Sequence, residues 1–258
     1  DGSAETSTSN PDGTATFSGT VSFPVGTTQV LVKGNMSTDP AADATIVVSF
    51  NTPATKVTSI TGGTTGNAIT ATPTSQVSAN TMTVKAGALT VSVSGSPVAQ
   101  TVIRGITGYT FANYLFDATA SGEDVKVTTI SLYDTMAASP DVSQLTNLVL
   151  YDGTSDLNTG TNVVSRTGTD SAAFTFTLDN ALIIPKGTQM TVALKGNISG
   201  TATAASSHAW GLTSPTITAV GMSTTLTITA TTNDATGSIM TIASAGQYTA
   251  VLDSSTPT

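Results

Sequence analysis

The segment FPVGTTQVLVKGNMS (Phe23 to Ser37) returns, closely copied, as IPKGTQMTVALKGNIS (Ile184 to Ser199). Each copy has a Pro-Gly turn, an alternating apolar stretch and a closing K-G-N-x-S. Lys33, Gly34, Asn35 and Ser37 answer to Lys195, Gly196, Asn197 and Ser199, 162 positions on. The likeness continues in order: Phe50 falls opposite Trp210, ITAT at Ile69 to Thr72 opposite ITAT at Ile228 to Thr231, MTV at Met82 opposite MTI at Met240, and Gly87 opposite Gly246. The spacing drifts by only a few residues, as loop insertions would make it do. A period of about 160 residues constrains the fold strongly, because each copy must bury a core within that length. Its phase places one complete module at 88–246, the C-terminal part of a preceding module at 1–87, and the opening strand of a following one at 247–258. A longer array of modules explains this phase. Exchange of a terminal strand with a neighbouring copy explains it too, and the array is the favoured reading.

Within the complete module, strand patterns recur every 8 to 14 residues between Gly, Pro, Asn or Asp. LTVSVSG, TVIRGI, NYLFDATA, VKVTTISLYD, NLVLYD, AAFTFTL and QMTVALKGNIS are the predicted strands. In VKVTTISLY, Val125, Val127, Thr129 and Ser131 share one face and Lys126, Thr128, Ile130 and Leu132 the other, so neither face is wholly polar. The chain holds 54 Thr, a residue whose β-branch favours extended backbone while its hydroxyl faces water. Seven short strands without a convincing helix predict an all-β fold of tandem immunoglobulin-like β-sandwich modules. The sandwich proper is expected over 88–213, and 214–246 is expected to form a smaller β element bridging successive sandwiches. Asp141 to Asn147 could form one helical turn.

Charge narrows the partners. Only 9% of residues are charged, the net charge is −8, and the eight Lys and Arg are scattered singly. That spread argues against nucleic acid as a partner and against docking on an anionic membrane. No apolar run is long enough to span a bilayer as a helix. The absence of Cys removes disulfides and thiolate metal sites. Few charges with abundant Thr and Ser point to an exported, cell-surface protein.

Little in the chain carries reaction chemistry. The one histidine, His208, has no acid near it in sequence to orient it as a base. No phosphate-binding loop precedes a helix, and the Gly-rich ITGGTTGNAI lies between strands. The carboxylates are the remaining candidates: Asp117, Glu123 and Asp124 around one turn, and Asp152 and Asp156 in a second. Calcium takes such oxygens in extracellular loops, though neither spacing is that of a known calcium loop, and solvated turn aspartates are the commoner case. Two sequons, Asn35-Met-Ser37 and Asn197-Ile-Ser199, sit at the same place in both copies. Glycosylation is one reading, and a Gly-Asn turn ending a strand is the other.

On the K-G-N-[IM]-S strand, the IPKG turn and FDATASGEDVKVTTI, the chain resembles the immunoglobulin-like repeat modules of prokaryotic surface-layer proteins and adhesin stalks. The resemblance implies a non-enzymatic structural subunit of an extracellular layer or filament, with other copies of itself as partners and calcium as a possible ligand. An adhesin or carbohydrate-binding sandwich is the alternative, for which Tyr109, Phe111, Tyr114 and Phe116 would have to be exposed together.

Overall fold

The computed structural model describes residues 13–35, 43–137, 144–166, 168 and 170–244. Two compact units divide the chain, one of Asp1–Ser37 with Thr45–Met82, the other of Thr38–Ala44 with Thr83–Thr258. The expected opening strand at 247–258 lies outside the described residues.

The first unit carries β1 (Thr45–Ile46), β2 (Ser49–Phe50), a single helical turn α1 (Pro53–Lys56), β3 (Val77–Ser78) and the start of β4 (Met82–Thr83). Two-residue ladders join β1 to β4 and β2 to β3. Thr61 and Ala68 bridge in a tight hairpin closed by Gly62 N–H to Asn67 O at 2.9 Å and Gly66 N–H to Gly62 O at 2.8 Å. Gly66 takes φ +70° there, a conformation that favours glycine. Residues 13–35 are exposed throughout and hold no strand of two or more residues.

The second unit is a two-sheet β-sandwich. Its strands are β5 (Thr90–Val93), β6 (Gln100–Ile103), β7 (Tyr109–Asp117), β8 (Val125–Ala137), β9 (Leu145–Tyr151), β10 (Ala172–Ile184), β11 (Gln189–Ile198), β12 (Ser207–Gly211), β13 (Ile217–Gly221), β14 (Thr227–Ile228), β15 (Thr231–Thr232) and β16 (Met240–Ala243). One sheet runs β15-β5-β7-β11-β9. The other runs β14-β13-β8-β12-β16-β6, with β10 on the free edge of β8. All seven predicted strands form, as β5 to β11.

Strand β8 organises the larger sheet. Along one edge β10 pairs from Val125 to Asp134. Along the other, β13 covers Val125 to Ile130 and β12 covers Tyr133 to Ala137, end to end. Register breaks on both sides at Thr128: Thr218 and Ala219 pair with Thr129 and Val127, and β10 skips there as well. Such a bulge turns the strand by one residue. Val125 and Val127 therefore point inward before it, and Ile130, Leu132 and Asp134 after it. Simple alternation had put these two sets on opposite faces, and the bulge is why both are core.

Two expectations need correction. In the described part of the stretch expected to bridge successive sandwiches, 214–244, β13, β14 and β16 belong instead to the larger sheet and β15 pairs in parallel with β5. Strands of two to five residues gain little alone and are stabilised by joining an existing sheet. In the stretch expected to be a helical turn, Leu145 to Asn147 begin β9, and 141–143 lie outside the described residues. Leu145 and Leu148 are buried, and that burial outweighs the local turn preference.

The core lies between the sheets. Val91, Phe111, Tyr114, Phe116, Val192 and Leu194 face Val125, Val127, Ile130, Leu132, Phe176 and Trp210, all essentially without exposure. Phe174 and Phe176 pack on Trp210 with ring centroids 5.6 and 6.3 Å away.

Candidate functional site

The most chemically loaded place in the sandwich is inside it. Asp134, on β8 past the bulge, is fully buried together with Arg166, His208 and Gln144. Its Oδ2 accepts from Arg166 Nε at 2.6 Å and lies 2.7 Å from His208 Nδ1. Strand pairing sets this up, since His208 sits opposite Met136 in the β12–β8 ladder. Arg166 spends its remaining donors on backbone, to Gly168 O and, at 2.6 Å, to Asp170 O. It also lies 5.7 Å from the Phe174 ring centroid.

Gln144 completes the cluster. Ser206 Oγ lies 2.7 Å from both Thr203 O and Gln144 Oε1. One hydroxyl proton cannot serve two acceptors. Turning the Gln144 amide over resolves this, because Nε2 then donates to Ser206 Oγ and to His208 Nε2. The exchange leaves a carbonyl oxygen without a partner instead of an amide group, the cheaper of the two. In that arrangement Nδ1–H of His208 donates to Asp134, which also accepts from Arg166 Nε.

An acid orienting a histidine is half of a catalytic triad. Here no face of the pair reaches solvent, and Gln144 occupies the position a nucleophile would need. The cluster is suited to fixing register. A slip along β8 would strand a buried charge, which costs several kcal/mol. Tyr114 Oη, Asp134 Oδ1 and Trp210 Nε1 are also buried without a hydrogen-bond partner among the described residues. Burial, with the Asp134 charge, holds the Tyr114 phenol well above its usual pKa. Sequence reasoning missed the cluster because Asp134 and His208 are 74 residues apart.

The proposed calcium ligands are placed as follows. Asp117 Oδ1 accepts from Thr119 N–H and Oγ1–H at 2.8 and 2.6 Å, and Oδ2 accepts from Gln189 Nε2. The Thr119 bonds lower its pKa. Glu123 points away from that turn, taking Ser223 N–H, Thr224 N–H and Thr224 Oγ1–H at 2.8, 2.9 and 2.7 Å. Burial pushes its carboxyl pKa up, but these bonds outweigh burial and leave it below the usual value. Asp124 accepts from Lys186 N–H. Asp152 caps its own turn through Thr154 and Ser155 N–H, both at 2.7 Å. Asp156 bridges to Tyr151 through backbone. Among the described residues no three acidic or histidine side chains gather as a metal site would need.

Asn197 Oδ1 accepts from Gly108 N–H at 2.9 Å, a structural use of the second sequon. Asn35 is exposed, and Ser37 lies outside the described residues. Of the four aromatics on β7, Phe111, Tyr114 and Phe116 are core. Tyr109 is partly buried, its hydroxyl bonded to Gln100 Nε2 and Met240 Sδ. They form no exposed aromatic platform. Compared with known proteins, the chain matches no family model and no curated protein.

Proposed function

We propose that this chain is a non-enzymatic structural segment of an extracellular surface layer or filament, built of tandem immunoglobulin-like modules. The observation that carries this reading is where the chemistry is spent. The buried charges of the sandwich are used to lock strand register, and the turn carboxylates cap backbone. Large apolar side chains of the sandwich such as Val98, Ile103 and Ile183 are left on the outside of strands and loops. Exposed apolar strand faces and open edges are what lateral self-association uses. The low charge lets copies approach closely. Other copies of the chain are the partners in this reading. Light scattering and electron microscopy of the purified chain, with and without calcium, test it. Ordered sheets or filaments are expected, and a monodisperse monomer under every condition would refute self-assembly by this segment.

A further inference from the structure

Two sets of hydrogen bonds in the chain are the same set, displaced. Asp43 N–H donates to Val84 O at 2.9 Å and Val84 N–H to Ala44 O at 2.8 Å. Ala205 N–H donates to Ile242 O and Ile242 N–H to Ser206 O, both at 2.8 Å. Asp43 and Ala205 share a left-handed φ, +62° and +64°, and so do Thr52 before Pro53 and Ser214 before Pro215, +43° and +45°. The Gly62 hairpin has its double at Gly221, where Gly221 N–H donates to Leu226 O at 2.9 Å and Thr225 N–H to Gly221 O at 3.0 Å. Even the hairpin tips agree: Asn67 N–H donates to Thr65 Oγ1 and Leu226 N–H to Thr224 Oγ1. These matches align Phe50 with Leu212, not with Trp210 as the sequence spacing had suggested.

The backbone matches and the burial does not. Leu212, Ile228 and Met240 are 0%, 5% and 1% exposed, while their counterparts Phe50, Ile69 and Met82 are 51%, 54% and 52% exposed. In the sandwich, β12 and β13 lie along β8, and β16 along β6. Glu123, just before β8, sits on the Ser223 and Thr224 amides, and a side chain at Gly221 would run into its carboxylate. Gly62 keeps the glycine, and Thr64 and Thr65 hold the positions of the amides. No carboxylate is bonded to them among the described residues. Phe23, Val30 and Val32 are exposed as well, whereas Ile184, Val192 and Leu194 of the repeated segment are buried in β10 and β11. In the second set much of that burial is supplied by β5 to β9, carried by residues 88–162.

We infer that the face made by Phe50, Ile69, Met82 and the Thr64–Thr65 tip docks a segment patterned like residues 88–162 and joined ahead of these strands. That segment lays a β8-like strand along β1, β2 and the Gly62 hairpin, and sets an acidic side chain on the Thr64 and Thr65 amides. The inference rests on the tandem-module part of the proposed function and not on the surface-layer part, so failure to assemble leaves it standing.

The test is the full chain extended by a copy of residues 88–162 ahead of Asp1, read by amide hydrogen exchange. Exchange over 45–50 and 60–69 is expected to slow about 100-fold, toward that of 207–211 and 219–228. Glu123→Gln in the added copy alone should remove part of the gained protection at 62–69 and leave 219–228 unchanged. Unaltered exchange at 45–69, or loss of protection at 207–243, overturns the inference. The unextended chain gives an independent reading: Ile228→Thr should lower its thermal midpoint and Ile69→Thr should not. Equal losses would mean the face is already covered. Protection at 45–69 that fades on dilution would mean a second copy covers it, and either result overturns the proposal.

Discussion

The Gly62 and Gly221 hairpins are two regions with one backbone and opposite surroundings. Both close with the same pair of hydrogen bonds and the same threonine at the tip. Around Gly221 the turn is gripped by Glu123, and Ile228 is in the core. Around Gly62 the corresponding isoleucine faces outward. Turn geometry is therefore set locally, by glycine and by threonine hydroxyls, and does not wait for a core. Burial is supplied from elsewhere in the chain, by β8 above all. A hairpin can be right in every hydrogen bond and still contribute little stability until that strand arrives.

The sharpest way to break this contrast is at the strand that creates it. Asp134→Ala leaves Arg166 charged and unpaired in the core, and should cost the sandwich about 3–5 kcal/mol in denaturant unfolding. Exchange in the first unit should not respond. Met240→Ala should cost about 2–5 kcal/mol through the cavity it opens. Met82→Ala, at an exposed site, should stay within about 0.5 kcal/mol. A similar loss for both would mean that the two methionines share an environment.

Acid should separate the regions next. The Glu123 pKa is lowered in the folded chain, so its contribution is complete above the unfolded value near 4.5. It is lost as pH falls below that through the folded value. Stability of the sandwich measured from pH 6 to pH 3 should therefore fall, and Glu123→Gln should flatten the fall. Exchange of the Gly62 hairpin, whose tip carries no bonded carboxylate among the described residues, should not follow that titration. The smallest difference is expected between the sequon asparagines: Asn197→Ala should cost about 1 kcal/mol for the lost Gly108 bond, and Asn35→Ala almost nothing.

Much of the sandwich was legible because its strands are bounded by strong turn signals. LTVSVSG, TVIRGI and the five that follow read correctly from alternation and from Gly, Asp and Asn at their ends. What alternation could not give was the bulge at Thr128, because a one-residue slip leaves no mark in composition and shows only in pairing on both edges. Short Thr-rich strands such as β14 and β15 carried too few apolar residues to be assigned to a sheet. The Asp134–Arg166–His208 cluster was invisible for another reason. Its members belong to β8, to the loop before β10 and to β12, so only the folded ladders bring them together. The turn carboxylates were legible as turn residues, and their bonds to Thr119, Thr154, Ser155 and Thr224 are what spacing alone did not reveal.

The position of β8 also sets a timetable. Its thirteen residues are made well before the partners on either edge, β10 beginning at Ala172, β12 at Ser207 and β13 at Ile217. Pairings of such long sequence separation form slowly, because the loops must close before the ladder rewards them. A strand with both edges open for that long is the part of the chain most at risk of pairing with the wrong neighbour. A wrong partner is available within the chain itself, in the strands around the Gly62 hairpin, which closes with the same hydrogen bonds as the Gly221 hairpin. The sequences at Ile46–Phe50 and His208–Leu212 have nevertheless diverged almost completely, IVVSF against HAWGL. Only the second carries the histidine that Asp134 requires. Pulse-labelled refolding should find β8 amides protected late, and earlier trapping of misfolded chains when His208 is replaced by valine.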